Sequence, residues 1–356
     1  MRAALSLGAQ GLGRVWPNPA VGCVIVREAR VVGRGRTGDG GRPHAETVAL
    51  EMAGEAARGA TAYVTLEPCA HQGRTPPCAD GLVRAGIARV VAAMRDPDPR
   101  VDGGGFARLR SAGIDVTVGI CEAEARHLQA GFLSRVLRGR PMVTLKLATT
   151  VDGRIATASG ESRWITGSGA RAHVHAQRAL HDAVLVGAGT ARADDPSLTV
   201  RGLGPMHQPV RVVASGGLDL DPDGRLCKSA RESPVWVLHA PDPPSSRLAK
   251  LEARGVQTLA CGTRPDGRLD LGDALKRLGE RGLTRVYCEG GGTLAASLLE
   301  ARLVDRLDLY SAGAAIGAEG VPALGGLSLP TLADAPRLRL RDTAVLGEDV
   351  LSRWEA

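Results

Sequence analysis

Thr65-Leu66-Glu67-Pro68-Cys69-Ala70-His71-Gln72-Gly73-Arg74-Thr75-Pro76-Pro77-Cys78, read together with His44-Ala45-Glu46 upstream of it, decides how this chain is understood. One imidazole (His44) and two thiols (Cys69, Cys78) make a three-ligand set that suits zinc and leaves its fourth tetrahedral position open to water, as catalytic sites do and closed structural sites do not. His44 and Cys78 each stand where an extended or loop segment hands over to a helical pattern. Helix dipoles there favour thiolate over thiol. Glu46, two residues beyond His44, falls in the first helical turn, within reach of a water in the open position without taking a ligand place. A carboxylate so placed suits a proton shuttle.

Outward from this stretch, short β-branched runs alternate with Ala/Leu/Arg helical patterns, the rhythm of an α/β protein. The spacing predicts helices over 3–12, 45–53, 79–85 and 106–111, strands over 21–26, 31–33, 61–66, 89–94 and 114–118, and a helical stretch over 122–132. Arg138-Gly139-Arg140-Pro141 is a turn, and a strand over 142–147 opens a second series that runs to the C-terminus. With 356 residues and about 150 residues per domain, the reading is two domains, 1–140 and 141–356.

Apolar residues at 44% and charged residues at 23% are the mixture of a globular chain, and no apolar run approaches the ~18 residues of a membrane span. No export signal is readable in the first fifteen residues, so a cytoplasmic location is expected. The formal charge of +7 comes from 45 basic residues, of which only Lys146, Lys228, Lys250 and Lys276 are lysines, interleaved with 38 acids rather than gathered in a patch. Nine aromatic residues leave little for the stacking platforms of single-stranded nucleic acids. Small anionic ligands are favoured over nucleic acid and membrane. Seven scattered cysteines argue for metal or core roles rather than a disulfide framework; Cys23 and Cys121 have no ligand spacing. Gly33-Arg34-Gly35-Arg36-Thr37-Gly38 fits a dinucleotide fingerprint, yet Asp39-Gly40-Gly41-Arg42-Pro43 follows where a helix should start, and it reads as a loop over the active site.

Pro17-Asn18-Pro19-x-Val21-Gly22-Cys23-Val24-Ile25-Val26, His44-Ala45-Glu46 and the two Pro-Cys pairs, with eight residues rather than two between the cysteines, resemble the bifunctional riboflavin-biosynthesis deaminase/reductase family. Leu145-Lys146-Leu147, Asp152-Gly153-Arg154, Ser159-Gly160-Glu161-Ser162-x-Trp164-Ile165-Thr166 and Gly189-Thr190-Ala191-x-Ala193-Asp194-Asp195-Pro196-x-Leu198-Thr199-Val200-Arg201 resemble its reductase half. The resemblance implies an N-terminal cytidine-deaminase-like α/β/α domain and a C-terminal dihydrofolate-reductase-like α/β domain. The first removes the 2-amino group of 2,5-diamino-6-ribosylamino-4(3H)-pyrimidinone 5′-phosphate with zinc; the second reduces the ribosyl group of the product with NADPH. It also implies small-molecule substrates and a homo-oligomer, dimer or tetramer.

Carried over by position, Asn18, His71 and Arg74 contact the deaminase substrate. Lys146, Ser162, Arg178, Leu198, Arg201 and Glu289 belong with the reductase substrate. Ala148, Trp164, Thr190, Asp194, Ser215, Gly291, Gly292, Thr293, Leu294, Ala295, Ala296 and Ser297 belong with NADPH. The glycines after Glu289 open a helix, and their amides are expected to face outward as a diphosphate site. His173 and His175, two residues apart on a helix, point to different faces and do not form a metal pair. The match weakens where Ala214 replaces the family's Asp and where 311–317 lacks its proline and basic residue.

Overall fold

A computed structural model describes residues 1–70 and 76–356. The chain divides into two compact units, Met1–Arg140 and Pro141–Ala356.

In the first unit, β1 (Gly22–Arg27), β2 (Arg30–Arg36), β3 (Thr61–Val64), β4 (Arg89–Ala92) and β5 (Asp115–Val118) form one sheet in the order β2-β1-β3-β4-β5. β1 is antiparallel to β2 and β3, while β3, β4 and β5 are parallel. Around it are α1 (Arg2–Ala9), α2 (Ala45–Ala53), α3 (Cys78–Arg84), α4 (Gly104–Ser111), α5 (Glu122–Leu128) and α6 (Ala130–Arg138). The fully buried core joins Ile25, Ala62, Val64, Leu82, Val90 and Leu109. The stretch expected as one helix over 122–132 breaks at Gln129, whose side-chain amide donates to Ala20 O at 2.8 Å.

A second expectation is overturned here. Gly33 to Arg36 lie in strand β2, paired with β1, not in a loop over the site. The glycines are there because α2 crosses close above them on its small-residue stripe Ala45, Ala49 and Ala53. A Cβ on Gly33 would lie 2.1 Å from Ala49 O, and one on Gly35 would lie 2.4 Å from Ala45 O. Only a residue without a side chain admits a helix at that distance.

The second unit holds a nine-stranded sheet. β6 (Met142–Thr150), β8 (Ala183–Gly187), β9 (Val210–Ala214), β10 (Val235–His239), β11 (Gln257–Ala260), β12 (Arg285–Cys288), β13 (Arg306–Ala312), β15 (Arg339–Leu346) and β16 (Asp349–Glu355) lie in the order β11-β10-β9-β8-β12-β6-β13-β16-β15. The first seven positions in that order are parallel, and β16 is antiparallel to both neighbours. β7 (Arg154–Ala156) pairs with β14 (Val321–Pro322) apart from it. The helices are α7 (Ser168–Ala179), α8 (Ala188–Asp194), α9 (Arg225–Lys228), α10 (Ser245–Ala253), α11 (Leu271–Glu280) and α12 (Gly292–Glu300). From β6 the chain skips a place to β8, runs outward to β11, and returns as β12 between β6 and β8. That reversal opens a crevice beyond the carboxyl ends of β6, β8 and β12, where open parallel sheets bind ligands. Among the described residues no helix is long and apolar enough to cross a membrane.

Candidate active sites

In the first unit, His44 is the extended N-cap of α2 and Cys78 is the first residue of α3, entered through Pro77. Cys69 lies in the loop after β3 and accepts the Cys78 amide at 3.3 Å. His44 Nδ1 is 3.2 Å from Cys78 Sγ and 3.7 Å from Cys69 Sγ, and the three donor atoms lie within 4.8 Å of one another. Tetrahedral zinc with ordinary Zn–N and Zn–S bonds separates such a nitrogen and sulfur by about 3.6 Å. The donor set and its spacing therefore fit zinc.

The protons follow from the same closeness. A hydrogen bond from Cys78, with further help from His44, pulls the Cys69 thiol down to about 4, while that shared proton and burial push Cys78 up. His44 is raised, first by its bond to Cys69. Glu46 is only 4% exposed, and burial lifts its carboxyl to about 7.

A cavity of about 190 Å³ brings Asn18, His44, Glu46 and Cys69 together. Asn18 Nδ2 donates to Gly41 O at 2.7 Å, which fixes the carboxamide. His71 and Arg74 lie outside the described residues. Arg42, Glu67, Asp96, Asp98, Arg100 and Arg135 also border the cavity, and sequence reasoning passed over all of them. Glu67 accepts the backbone amides of Asp96, Gly103 and Phe106. Burial, with Asp98 and Glu67 nearby, raises Asp96 to about 7. The signal for this group was positional: Asp96-Pro97-Asp98-Pro99 follows β4, a parallel strand, at its carboxyl end.

In the second unit, a cavity of about 650 Å³ at the reversal point brings together Lys146, Ala148, Ser162, Trp164, Arg178, Thr190, Asp194, Leu198, Arg201 and Glu289. Arg178 on α7 meets Glu289, which follows β12, through Nε–Oε1 at 2.5 Å and Nη2–Oε2 at 2.9 Å. Burial alone would raise Glu289, but Arg178 and Lys146 hold it below the usual carboxylate range. Burial lowers Lys146. Trp164 presents an exposed indole with the Arg171 guanidinium 4.7 Å from its ring centre. The crevice and the aromatic face fit a dinucleotide.

Not every residue assigned to NADPH reaches this cavity. Ser215 is 2% exposed, and its hydroxyl accepts the Asp219 amide. Ala295 and Ala296 are core residues of α12. The Gly291 amide is not bare: it donates to Thr190 Oγ1 at 3.0 Å. A Cβ on Gly292 would press on Pro322 to Gly325, so packing accounts for that glycine. His173 turns to the sheet, its Nδ1 2.7 Å from Tyr310 Oη, whereas His175 borders the cavity beside Arg163, Arg171 and Arg225, which sequence reasoning also missed. Asp152 accepts the amides of Ile316 and Gly317 and so ties down the altered 311–317 segment.

A His/Cys/Cys centre beside a buried carboxylate, joined to an α/β unit whose crevice suits a dinucleotide, defines a zinc-dependent deaminase coupled to a reductase. The family described as "Cytidine and deoxycytidylate deaminase zinc-binding region" matches residues 1–94, and the RibD C-terminal domain matches 141–352. The riboflavin biosynthesis protein RibD of Escherichia coli is 43% identical, with 98% of this chain and 96% of that protein covered; that of Aquifex aeolicus is 40% identical, with 99% and 96% covered. An Acinetobacter baumannii RibD structure superposes with a TM-score of 0.90 at 39% identity, covering 99% and 97% of the two chains. A Thermotoga maritima diaminohydroxyphosphoribosylaminopyrimidine deaminase/5-amino-6-(5-phosphoribosylamino)uracil reductase does so at 0.86 and 33%, covering 100% and 97%. The chain belongs to the RibD family of riboflavin-biosynthesis proteins. It is a bifunctional deaminase and reductase, with a zinc-binding deaminase region and a reductase domain of the NADPH-using kind.

Proposed function

We propose that residues 1–140 hydrolyse the 2-amino group of 2,5-diamino-6-ribosylamino-4(3H)-pyrimidinone 5′-phosphate, and that residues 141–356 reduce the ribosyl group of the resulting 5-amino-6-(5-phosphoribosylamino)uracil to ribityl. The observation that carries this reading is the cluster of His44, Cys69 and Cys78, with His44, Cys69 and Glu46 lining one small cavity, in a chain that matches RibD proteins over nearly its whole length.

His44, Cys69 and Cys78 would hold zinc, whose Lewis acidity lowers the pKa of water. Glu46 takes the proton of the attacking water at its carboxylate and passes it to the departing nitrogen, which leaves as ammonia. A carboxyl near 7 suits both transfers, since neither has far to go in energy. Asn18, with one amide hydrogen spent on Gly41 O, has its carbonyl and second N–H left to read a pyrimidine edge, and His71 and Arg74 complete that contact.

In the second unit, NADPH supplies the hydride received by the sugar's C1′. Arg178, Arg201, Ser162 and Leu198 hold the phosphorylated sugar, with Glu289 and Lys146 beside it. Ala148, Trp164, Thr190, Asp194 and the start of α12 receive the dinucleotide. The reading includes a cytoplasmic location and a homo-oligomer, dimer or tetramer, which light scattering of the purified chain would test.

A coupled assay with the diamino-pyrimidinone phosphate, recording ammonia and NADPH together, tests it. Both signals are expected in sequence. Ammonia without NADPH oxidation refutes the second half, and a zinc-loaded chain that releases no ammonia refutes the first.

A further inference from the structure

Residues 196–201, between α8 and β9, have no strand partner in the sheet, yet side chains hold their backbone almost step by step. Arg211, itself fully buried, donates to Ser197 O at 3.3 Å. Arg178 donates to Thr199 O at 2.8 Å. Gln208 accepts the Val200 amide at 2.7 Å and donates to Val200 O at 3.3 Å. His175 Nδ1 accepts the Arg201 amide at 3.2 Å. Amid these bonds Leu198 sits at φ +53°, a left-handed conformation that persists in a non-glycine residue only where its surroundings over-determine it.

His175 and Arg178 are three residues apart on α7 and therefore share a face, and both border the reductase cavity together with Leu198 and Arg201. Accepting through Nδ1 places the hydrogen of the neutral ring on Nε2. Burial, Arg178 and Arg201 lower the ring's pKa against the opposing pull of Glu289 and of the backbone at Thr199, which keeps the Nδ1 lone pair available.

We propose that His175 is a positioning residue of the reductase site, whose imidazole pins the Arg201 backbone so that the wall formed by Leu198 and Arg201 is preformed for the phosphorylated sugar. The proposal rests on the reductase reading above and adds a residue that does not itself react.

The test uses the full zinc-loaded chain and the variants His175→Ala and His175→Asn. Asparagine Oδ1 can stand where Nδ1 stands and accept the same amide; alanine cannot. His175→Ala is expected to raise KM for 5-amino-6-(5-phosphoribosylamino)uracil about fivefold, the factor that one net hydrogen bond represents. KM for NADPH and the rate of ammonia release are expected to stay put, the melting temperature of the second unit to fall by no more than the about 2–4 °C that one hydrogen bond represents, and His175→Asn to recover most of the loss in KM. Independently of turnover, nitrogen NMR of the ¹⁵N-histidine-labelled chain between about pH 6 and pH 8 is expected to show Nδ1 unprotonated and Nε2 protonated. An unchanged substrate KM in His175→Ala, an equal rise in KM for NADPH, an asparagine variant as impaired as alanine, or a ring protonated at Nδ1 overturns the proposal. If the unaltered chain never oxidises NADPH, the reductase reading falls instead, and the nitrogen spectra alone decide whether His175 holds Arg201.

Discussion

Replacing Glu289 by glutamine keeps the shape of the side chain and removes the charge that faces Arg178. The two side chains are 9% and 11% exposed, so solvent does little to screen the loss. Removing one partner of a buried ion pair costs about 3–5 kcal/mol, because the other charge stays behind uncompensated. Glutamine can still accept one of the two hydrogen bonds, which places Glu289→Gln near the lower end, about 3 kcal/mol. For a unit of the size of Pro141–Ala356, each kcal/mol moves the melting temperature by about 2–4 °C, so the transition of that unit should fall by about 6–12 °C. Arg178→Met should cost a similar amount by removing the carboxylate's hydrogen-bonded partner and leaving it chiefly to Lys146. The double variant should cost clearly less than the two together, since the pair interacts directly.

The effect also depends on pH. The folded-state pKa of Glu289 lies below its ordinary value, so its contribution is complete above the unfolded pKa and is lost as pH falls through the lower folded value. The gap between variant and unaltered chain should therefore begin to narrow as pH drops below about 4 and close only beneath the lower folded value. Calorimetry of the four proteins, with NADPH oxidation alongside, measures all of this. Strict additivity, or a shift of under about 2 °C in Glu289→Gln, refutes the claim that these two residues hold the crevice together.

Glu46→Gln should retain zinc by elemental analysis while ammonia release drops by at least about 100-fold, the contribution expected of a general acid/base; unaltered turnover would remove Glu46 from the mechanism. Gly35→Ala drives a methyl group into the Ala45 carbonyl and the Ala49 amide, and should displace α2 and with it zinc affinity and deamination, while NADPH oxidation with the uracil substrate persists; metal content and the two assays measure it. Burial raises Asp308 from 3.8 to about 6, so its contribution to stability is present below its unfolded pKa and is lost as pH rises through the folded value. Asp308→Asn should accordingly stabilise the second unit above about pH 6, by about 3 kcal/mol at most, and a melting curve that shows no gain at neutral pH contradicts this.

The zinc ligands were legible because their spacing is written directly along the chain and because few other combinations of imidazole and thiols leave a place open. The alternation of strands and helices was legible for the same kind of reason, from local periodicity. What escaped the sequence depends on approach between distant segments. The strand expected to end at Gly33 runs on through Gly35 to Arg36; nothing local announces that a helix will lie on these glycines. The Gly291 amide looked bare because its partner, Thr190, comes from the start of a different helix. Arg178 and Glu289 are 111 residues apart; only the return of β12 beside β6 and β8 makes them neighbours. Asp96 and His175 carried no motif, and their importance comes from the ends of the elements on which they stand.

His44 and Glu46 ride on a single turn of α2, one as its N-cap and the other near its start. Any tilt or slide of that helix carries the His44 imidazole and the Glu46 carboxylate, the metal ligand and proton carrier proposed above, as one piece, leaving their mutual spacing unaltered. On the proposed mechanism the chemistry is thus insulated from small deformations of the sheet, and discrimination among heterocycles would fall to the other segments that line the cavity, Asn18 and the turn following β4. Those walls can be reshaped to admit a different ring without retuning the proton transfer.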